Sequence, residues 1–253
     1  MNAENRGRVA FLDDLRGLCL MAMVVYHLFF IMGFLFDMER GMELYNFFSP
    51  VQPIFGALFI LIAGVCTQFS GRLAKRGLIL LACAAAISVA TIVLLPRIGI
   101  DMPVWFGILH MLAIAKLLSA AGGRALLKIP AIIGLLLSAA LFFYTFTASQ
   151  GYLSLFGYGQ VALPAWLFEH NWLLPLGFHS PNFFMWDYFP LVPFLFIFLF
   201  GAFLGKMVGN HLPTKSLIPP LGFWGRHSLV IYLLHMPLIY GIIYLIDAVI
   251  LSR

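Results

Sequence analysis

The chain has 253 residues, 62% of them hydrophobic and only 10% charged, with a formal net charge of +5 and a mean hydropathy of +1.00. Soluble domains carry about 25% charged residues, so an aqueous globular fold is excluded. Apolar runs of about 18–24 residues without two-residue alternation exclude a barrel as well. The chain reads as an all-α, polytopic membrane helix bundle of about seven spans, organised as one domain over residues 1–253.

The first span covers 11–36 and is expected to be a retained helix, since it exceeds a signal h-region and no small-residue cleavage site follows it. An acidic connection with Asp37, Glu39, Arg40 and Glu43 comes next. Span 2 (51–69) ends at the basic Gly71-Arg72-Leu73-Ala74-Lys75-Arg76 stretch. Span 3 (77–95) is closed by Pro96, and span 4 (104–121) is followed by Arg124 and Lys128. After span 5 (130–147), the connection 148–188 has few charges (Glu169, Asp187) and many aromatics, Trp166, Trp172, Phe184 and Trp186 among them. It is expected at the membrane interface or folded into the bundle mouth, with 161–176 as a short interfacial helix and a plain aromatic belt as the alternative. Span 6 (189–208), a Pro-rich link (210–220) and span 7 (223–246) complete the chain.

With the N-terminus in the cytosol, twelve of the 15 Lys and Arg residues fall on the inner side, and only Arg40, Arg97 and Arg253 outside. Arg6 and Arg8 are among the twelve. This is the positive-inside pattern, so the net charge is a topology signal and no nucleic-acid partner is implied. Seven crossings leave the C-terminus outside. Cys19, Cys66 and Cys83 all lie in apolar spans without paired spacing and are expected to be packing residues.

The chemistry-bearing pattern begins at Asp13-Asp14-Leu15-Arg16-Gly17. Eleven steps lead from Arg16 to His27, close to three helical turns at ~100° each step, so the two share a face about 16 Å apart along the axis. Arg16 at one surface then puts His27 near the midplane, where an imidazole is costly unless it is used. Asp13 stands three residues before Arg16 and can pair with it. An arginine held that way suits a phosphate, and Arg226 opens span 7 on the same side. Arg72 and Arg76 read as binding cations or as ordinary positive-inside residues. Ser228, Tyr232 and His235 form a second polar stripe, with Pro237 just beyond. His110 lies near the outer end of span 4. For each intramembrane histidine the plain alternative is a cross-helix hydrogen bond. No HxxxH or HxxE spacing supports a metal, and none is expected.

The elements Arg8…Leu12-Asp13-Asp14-Leu15-Arg16-Gly17…Met23-Val24-Val25-Tyr26-His27 and Phe59-Ile60-Leu61-Ile62-Ala63-Gly64 resemble the membrane domain of heparan-α-glucosaminide N-acetyltransferase and its bacterial relatives. So do Trp105-Phe106-Gly107-Ile108-Leu109-His110, Asp187-Tyr188-Phe189-Pro190-Leu191-Val192-Pro193, and the run from Gly225 to His235. The Arg16-to-His27 interval is also similar to that of membrane O-acyltransferases that decorate bacterial glycans. The resemblance implies a membrane-bound acyltransferase of the bacterial inner membrane. Its donor would be acetyl-CoA, bound near Arg16, Asp13, Arg72, Arg76, Arg226, Ser228, Tyr232 and His235. His27, Asp187 and His110 would form the catalytic set, and the acceptor would be a hydroxyl or amine of an extracytoplasmic or lipid-linked glycan. The first outer connection (37–49) lacks the histidine that the eukaryotic member uses there. Membrane lipids are expected partners and a homodimer is left open. Two other classes fit the midplane histidines and helix-breaking prolines: a transporter or flippase, and a non-catalytic lipid-binding bundle.

Overall fold

A computed structural model describes residues 9–183, 185–209 and 211–251. Arg6, Arg8, Phe184 and Arg253, named above, and Asn210 at the start of the Pro-rich link lie outside the described residues, as does the side chain of Arg124. Nine α-helices are found among the described residues: α1 (Ala10–Phe34), α2 (Glu39–Phe48), α3 (Gln52–Val65), α4 (Leu73–Val89), α5 (Ile108–Lys128), α6 (Ala131–Thr145), α7 (Leu191–Val208), α8 (Pro219–Arg226) and α9 (Ser228–Ile246). Six helical stretches are long and apolar enough to cross a membrane, and a shorter apolar one covers Ile108–Gly123 in α5. Their outward stripes are apolar: Ile132 and Leu136 of α6 are 64% and 68% exposed. Such a surface needs a hydrocarbon solvent, and helices satisfy their backbone groups within it.

The described residues group into two compact units, one within Ile60–His211 and one within Gly7–Phe59 and Leu212–Arg253. In the second, α1 runs unbroken for 25 residues, about 37 Å at 1.5 Å per residue. Helix α2 occupies the acidic connection after the first span, to which the sequence assigned no helix, and packs backbone to backbone on α1 through Gly33 and Gly41. The single span expected over 223–246 is instead two helices, because the backbone of His227 leaves helical geometry (φ −101°, ψ 19°) between α8 and α9.

In the unit within Ile60–His211, small residues bring the end of α3 against α7. A Cβ added at Gly64, Gly201 or Gly205 would strike the backbone of Phe198, Leu61 or Val65 on the facing helix. Close small-residue contacts of this kind replace the hydrophobic effect as the packing force in lipid. Gln68 Nε2 donates to Ala202 O (3.2 Å), and Lys206 Nζ to Ile129 O (2.7 Å) just past the end of α5. The Lys116 ammonium, in mid-α5, is buried 5.7 Å from the centre of the Phe198 ring.

The connection 148–188 departs from the expected interfacial helix. Strands β1 (Tyr152–Leu155) and β2 (Tyr158–Ala162) form an antiparallel hairpin, followed by 3-10 turns at Ala165–Phe168 and Asn171–Leu176. Phe156 and Gly157 both have positive φ (51° and 85°), the two-residue turn that suits the twist of a hairpin. Pro164 at the head of one 3-10 turn and Pro175 inside the other preclude a continuous α-helix.

Candidate active site

His27 and His235 meet in the unit formed by α1, α2, α8 and α9. His27 is the eighteenth residue of α1, about 16 Å beyond Arg16 along an uninterrupted axis. Its Nδ1 lies 3.0 Å from Met23 O, one turn back, and 3.3 Å from Nε2 of His235. The ring centroids of the two histidines are 4.9 Å apart. Tyr26 and Phe30 sit edge-on to the His27 ring at 5.5 and 6.4 Å. A carbonyl oxygen only accepts, so Nδ1 of His27 carries the proton and Nε2 carries the lone pair. Among the described residues nothing hydrogen-bonds that Nε2. Toward the end of α1, Tyr45 of α2 stacks among Tyr26, Phe30 and Phe34 at 5.0–5.9 Å.

At the other end of α1, the two acidic residues divide the work. Asp14 is buried; its carboxylate accepts from Ser216 Oγ (2.6 Å), Leu217 N (2.6 Å) and Ile218 N (3.4 Å), immediately ahead of α8. A carboxylate there satisfies unbonded amides and complements the positive end of the helix. Asp13 instead faces Arg16, whose guanidinium nitrogen is 3.7 Å from its carboxylate. Gly17 and Gly225 let α1 and α8 touch: a Cβ at Gly17 would strike the Leu221 carbonyl, and one at Gly225 the Asp13 carbonyl. Arg226 therefore follows directly on a backbone contact with Asp13, and it is exposed. The structure thus gathers Arg16, Asp13 and Arg226 around one helix crossing. Ser228 opens α9, and Tyr232 contributes the carbonyl that His235 Nδ1 binds at 2.6 Å.

The remaining candidates belong to the other unit. His110 has both nitrogens engaged: Gly107 N–H donates to Nδ1 (3.2 Å), and Nε2 faces Ser88 Oγ at 3.3 Å. Ser88 has the look of a nucleophile beside its base, but the polarity runs the other way. Its hydroxyl donates to Val104 O (2.7 Å), so His110 Nε2–H is the donor to Ser88. Asp187 is brought to the same place, its carboxylate lying on Gly107 where a Cβ would collide with it. Tyr188 Oη donates to Leu174 O at 2.7 Å, and burial pushes its phenol above the ordinary value, so the bond holds at neutral pH. Arg72 and Arg76 are exposed at the first turn of α4. Cations there oppose the helix dipole, so they are not placed for helix stability.

The sequence did not reveal Ser216, Ser88 or Gly107 as partners of Asp14, His110 and Asp187. The only local signal was Gly107 inside the Trp105-to-His110 motif. The Ser228–Tyr232–His235 stripe was legible, but that it faces His27 depends on a pairing across more than 200 residues.

No curated protein and no solved structure matches the chain. A family model does, over residues 8–237, nearly the whole chain and every motif that frames the two histidines and the α1–α8 crossing. The chain belongs to the family described as heparan-alpha-glucosaminide N-acetyltransferase, catalytic.

Proposed function

We propose that the protein is an integral-membrane acyltransferase of the bacterial cytoplasmic membrane. It transfers an acetyl group from cytosolic acetyl-CoA to a hydroxyl or amine of an extracytoplasmic or lipid-linked glycan. The observation that carries this reading is His27 Nε2, an unbonded lone pair three turns along α1 from a carboxylate-held arginine. Family membership supports the reaction class. Arg16 and Arg226 would hold the donor's phosphates; the planar guanidinium suits bidentate contact with phosphate oxygens. Arg72 and Arg76 add positive potential to the cytosolic connections that attracts an anionic donor.

In the transfer, the acceptor oxygen or nitrogen attacks the thioester carbonyl while His27 Nε2 removes its proton. The carbon–sulfur bond breaks, the proton passes from His27 to the departing thiolate, and the products are acylated acceptor and free CoA. His110 and Asp187 have a narrower part in this proposal: they hold the start of α5, since both His110 nitrogens are spent on Gly107 and Ser88.

Labelled acetyl transfer in inverted membrane vesicles tests the reading. His27→Ala should lower turnover by on the order of 10²–10⁴-fold, the usual worth of a general base. Full activity in that variant would remove His27 from the mechanism. CoA should raise the melting temperature of the purified protein, and Arg16→Ala should abolish the shift. No shift at millimolar CoA counts against the donor assignment.

A further inference from the structure

The hydrogen-bond chain does not stop at His27. Tyr232 O can only accept, and His235 Nδ1 approaches it at 2.6 Å, so that nitrogen carries the His235 proton. A neutral His235 then has its lone pair on Nε2, the atom facing His27 Nδ1 at 3.3 Å. His27 Nδ1 thus meets two acceptors, Met23 O and His235 Nε2, and shares one proton between them. The opposite polarity requires a doubly protonated His235. It would also turn a His27 lone pair toward the Met23 carbonyl, and the charge would lie within apolar helices.

We infer that His235 is a positioning residue for His27: its Nε2 accepts a hydrogen bond from His27 Nδ1–H and so reinforces the tautomer and orientation that leave His27 Nε2 bare. The order runs from the Tyr232 carbonyl to the His235 ring to the His27 ring, ending on the lone pair. His235 is buried, and its own ring lies tilted against Tyr232 at 5.5 Å, so it is held independently of His27. Met23 O selects the same tautomer through one bond within α1; the second acceptor, on α9, ties the ring across helices and adds to that selection. This extends the reading of His27 as the base and rests on it for its catalytic consequence, whereas the tautomer itself is measurable without any substrate.

The test uses the full chain in lipid nanodiscs, with ring-¹⁵N histidine, alongside steady-state acetyl transfer. In the unsubstituted protein the His27 signals, assigned by their loss in His27→Ala, should show a protonated Nδ1 and a bare Nε2. His235→Leu should mix the tautomers and lower kcat by roughly 10²-fold with KM for acetyl-CoA little changed. His235→Gln, whose amide oxygen can accept in place of Nε2, should restore both. An Nε2-protonated His27 in the unsubstituted protein overturns the inference. So does a His235→Leu variant with an unchanged His27 spectrum, or a glutamine variant no better than leucine. If leucine prevents folding, the unsubstituted spectrum and the glutamine variant decide. A fully active His27→Ala variant beside a bare Nε2 in the unsubstituted protein would refute the base and leave the tautomer lock standing.

Discussion

Two histidines in this chain have hydrogen-bonded rings of opposite availability. His27 spends one nitrogen and keeps a lone pair; His110 spends both, accepting from Gly107 N–H and donating to Ser88. The Ser88 hydroxyl donates its hydrogen bond to Val104 O and so directs no proton toward a base. Ser88→Ala should therefore leave acetyl-transfer kcat within about two-fold. It should lower stability by about 1 kcal/mol, the net worth of a typical hydrogen bond. A thermal melt paired with the transfer assay checks both, and a large loss of kcat in a variant that melts normally would return Ser88 to the chemistry. At this scale the sequence identified the costly residues but not their polarity. Nothing in the spacing of His27, His110 and His235 tells which nitrogen meets a carbonyl, because those partners are backbone atoms set by the folded helices.

The junction of α1 and α8 is where the first and last motifs meet. Gly17 and Gly225 put backbone on backbone, while Asp14 closes the open amides ahead of α8. Gly225→Val would thrust a branched side chain into the Asp13 carbonyl, and the forced separation should cost about 1–3 kcal/mol. Because Asp13 also faces Arg16, the same variant should weaken the CoA-dependent thermal shift; Gly241→Val, at a position with nothing within 4 Å of an added Cβ, should not. Equal effects from the two substitutions would refute the proposed link between this crossing and the donor. Apolar length and Pro or Gly punctuation exposed most helices in the sequence, including the unbroken run from Arg16 to His27. They failed at α2, whose apolar residues are too few for a span, and at His227, where a break carries no proline or glycine. They also failed at the hairpin, which a positive φ at Phe156 and Gly157 allows and an aromatic-rich composition conceals.

For the whole molecule, the parity of crossings decides which compartment each end faces, and α5 is the deciding helix. Six helical stretches pass by length and composition alone, whereas the apolar part of α5 is only Ile108–Gly123 and contains Lys116. Two facts argue that α5 nonetheless crosses. It runs 21 residues, about 31 Å at 1.5 Å per residue, which matches a ~30 Å hydrocarbon core. Its lysine is buried against the Phe198 ring and not directed at lipid. If α5 did not cross, the later connections would invert, and Arg124, Lys128, Lys206, Lys215 and Arg226 would all face outward. That would abolish the positive-inside bias, although each of those residues lies in a short connection or near a helix end, where the bias is strongest. Alkaline phosphatase fused after Arg253 should therefore be active, and a fluorescent protein at the same point should stay dark. Fusions in the 72–76 connection should give the reverse pattern, fixing the sign of the assay. A fluorescent C-terminal fusion would mean an even number of crossings. It would also reverse the membrane side assigned to Arg226, and so overturn the proposal that Arg226 and Arg16 hold a cytosolic donor together.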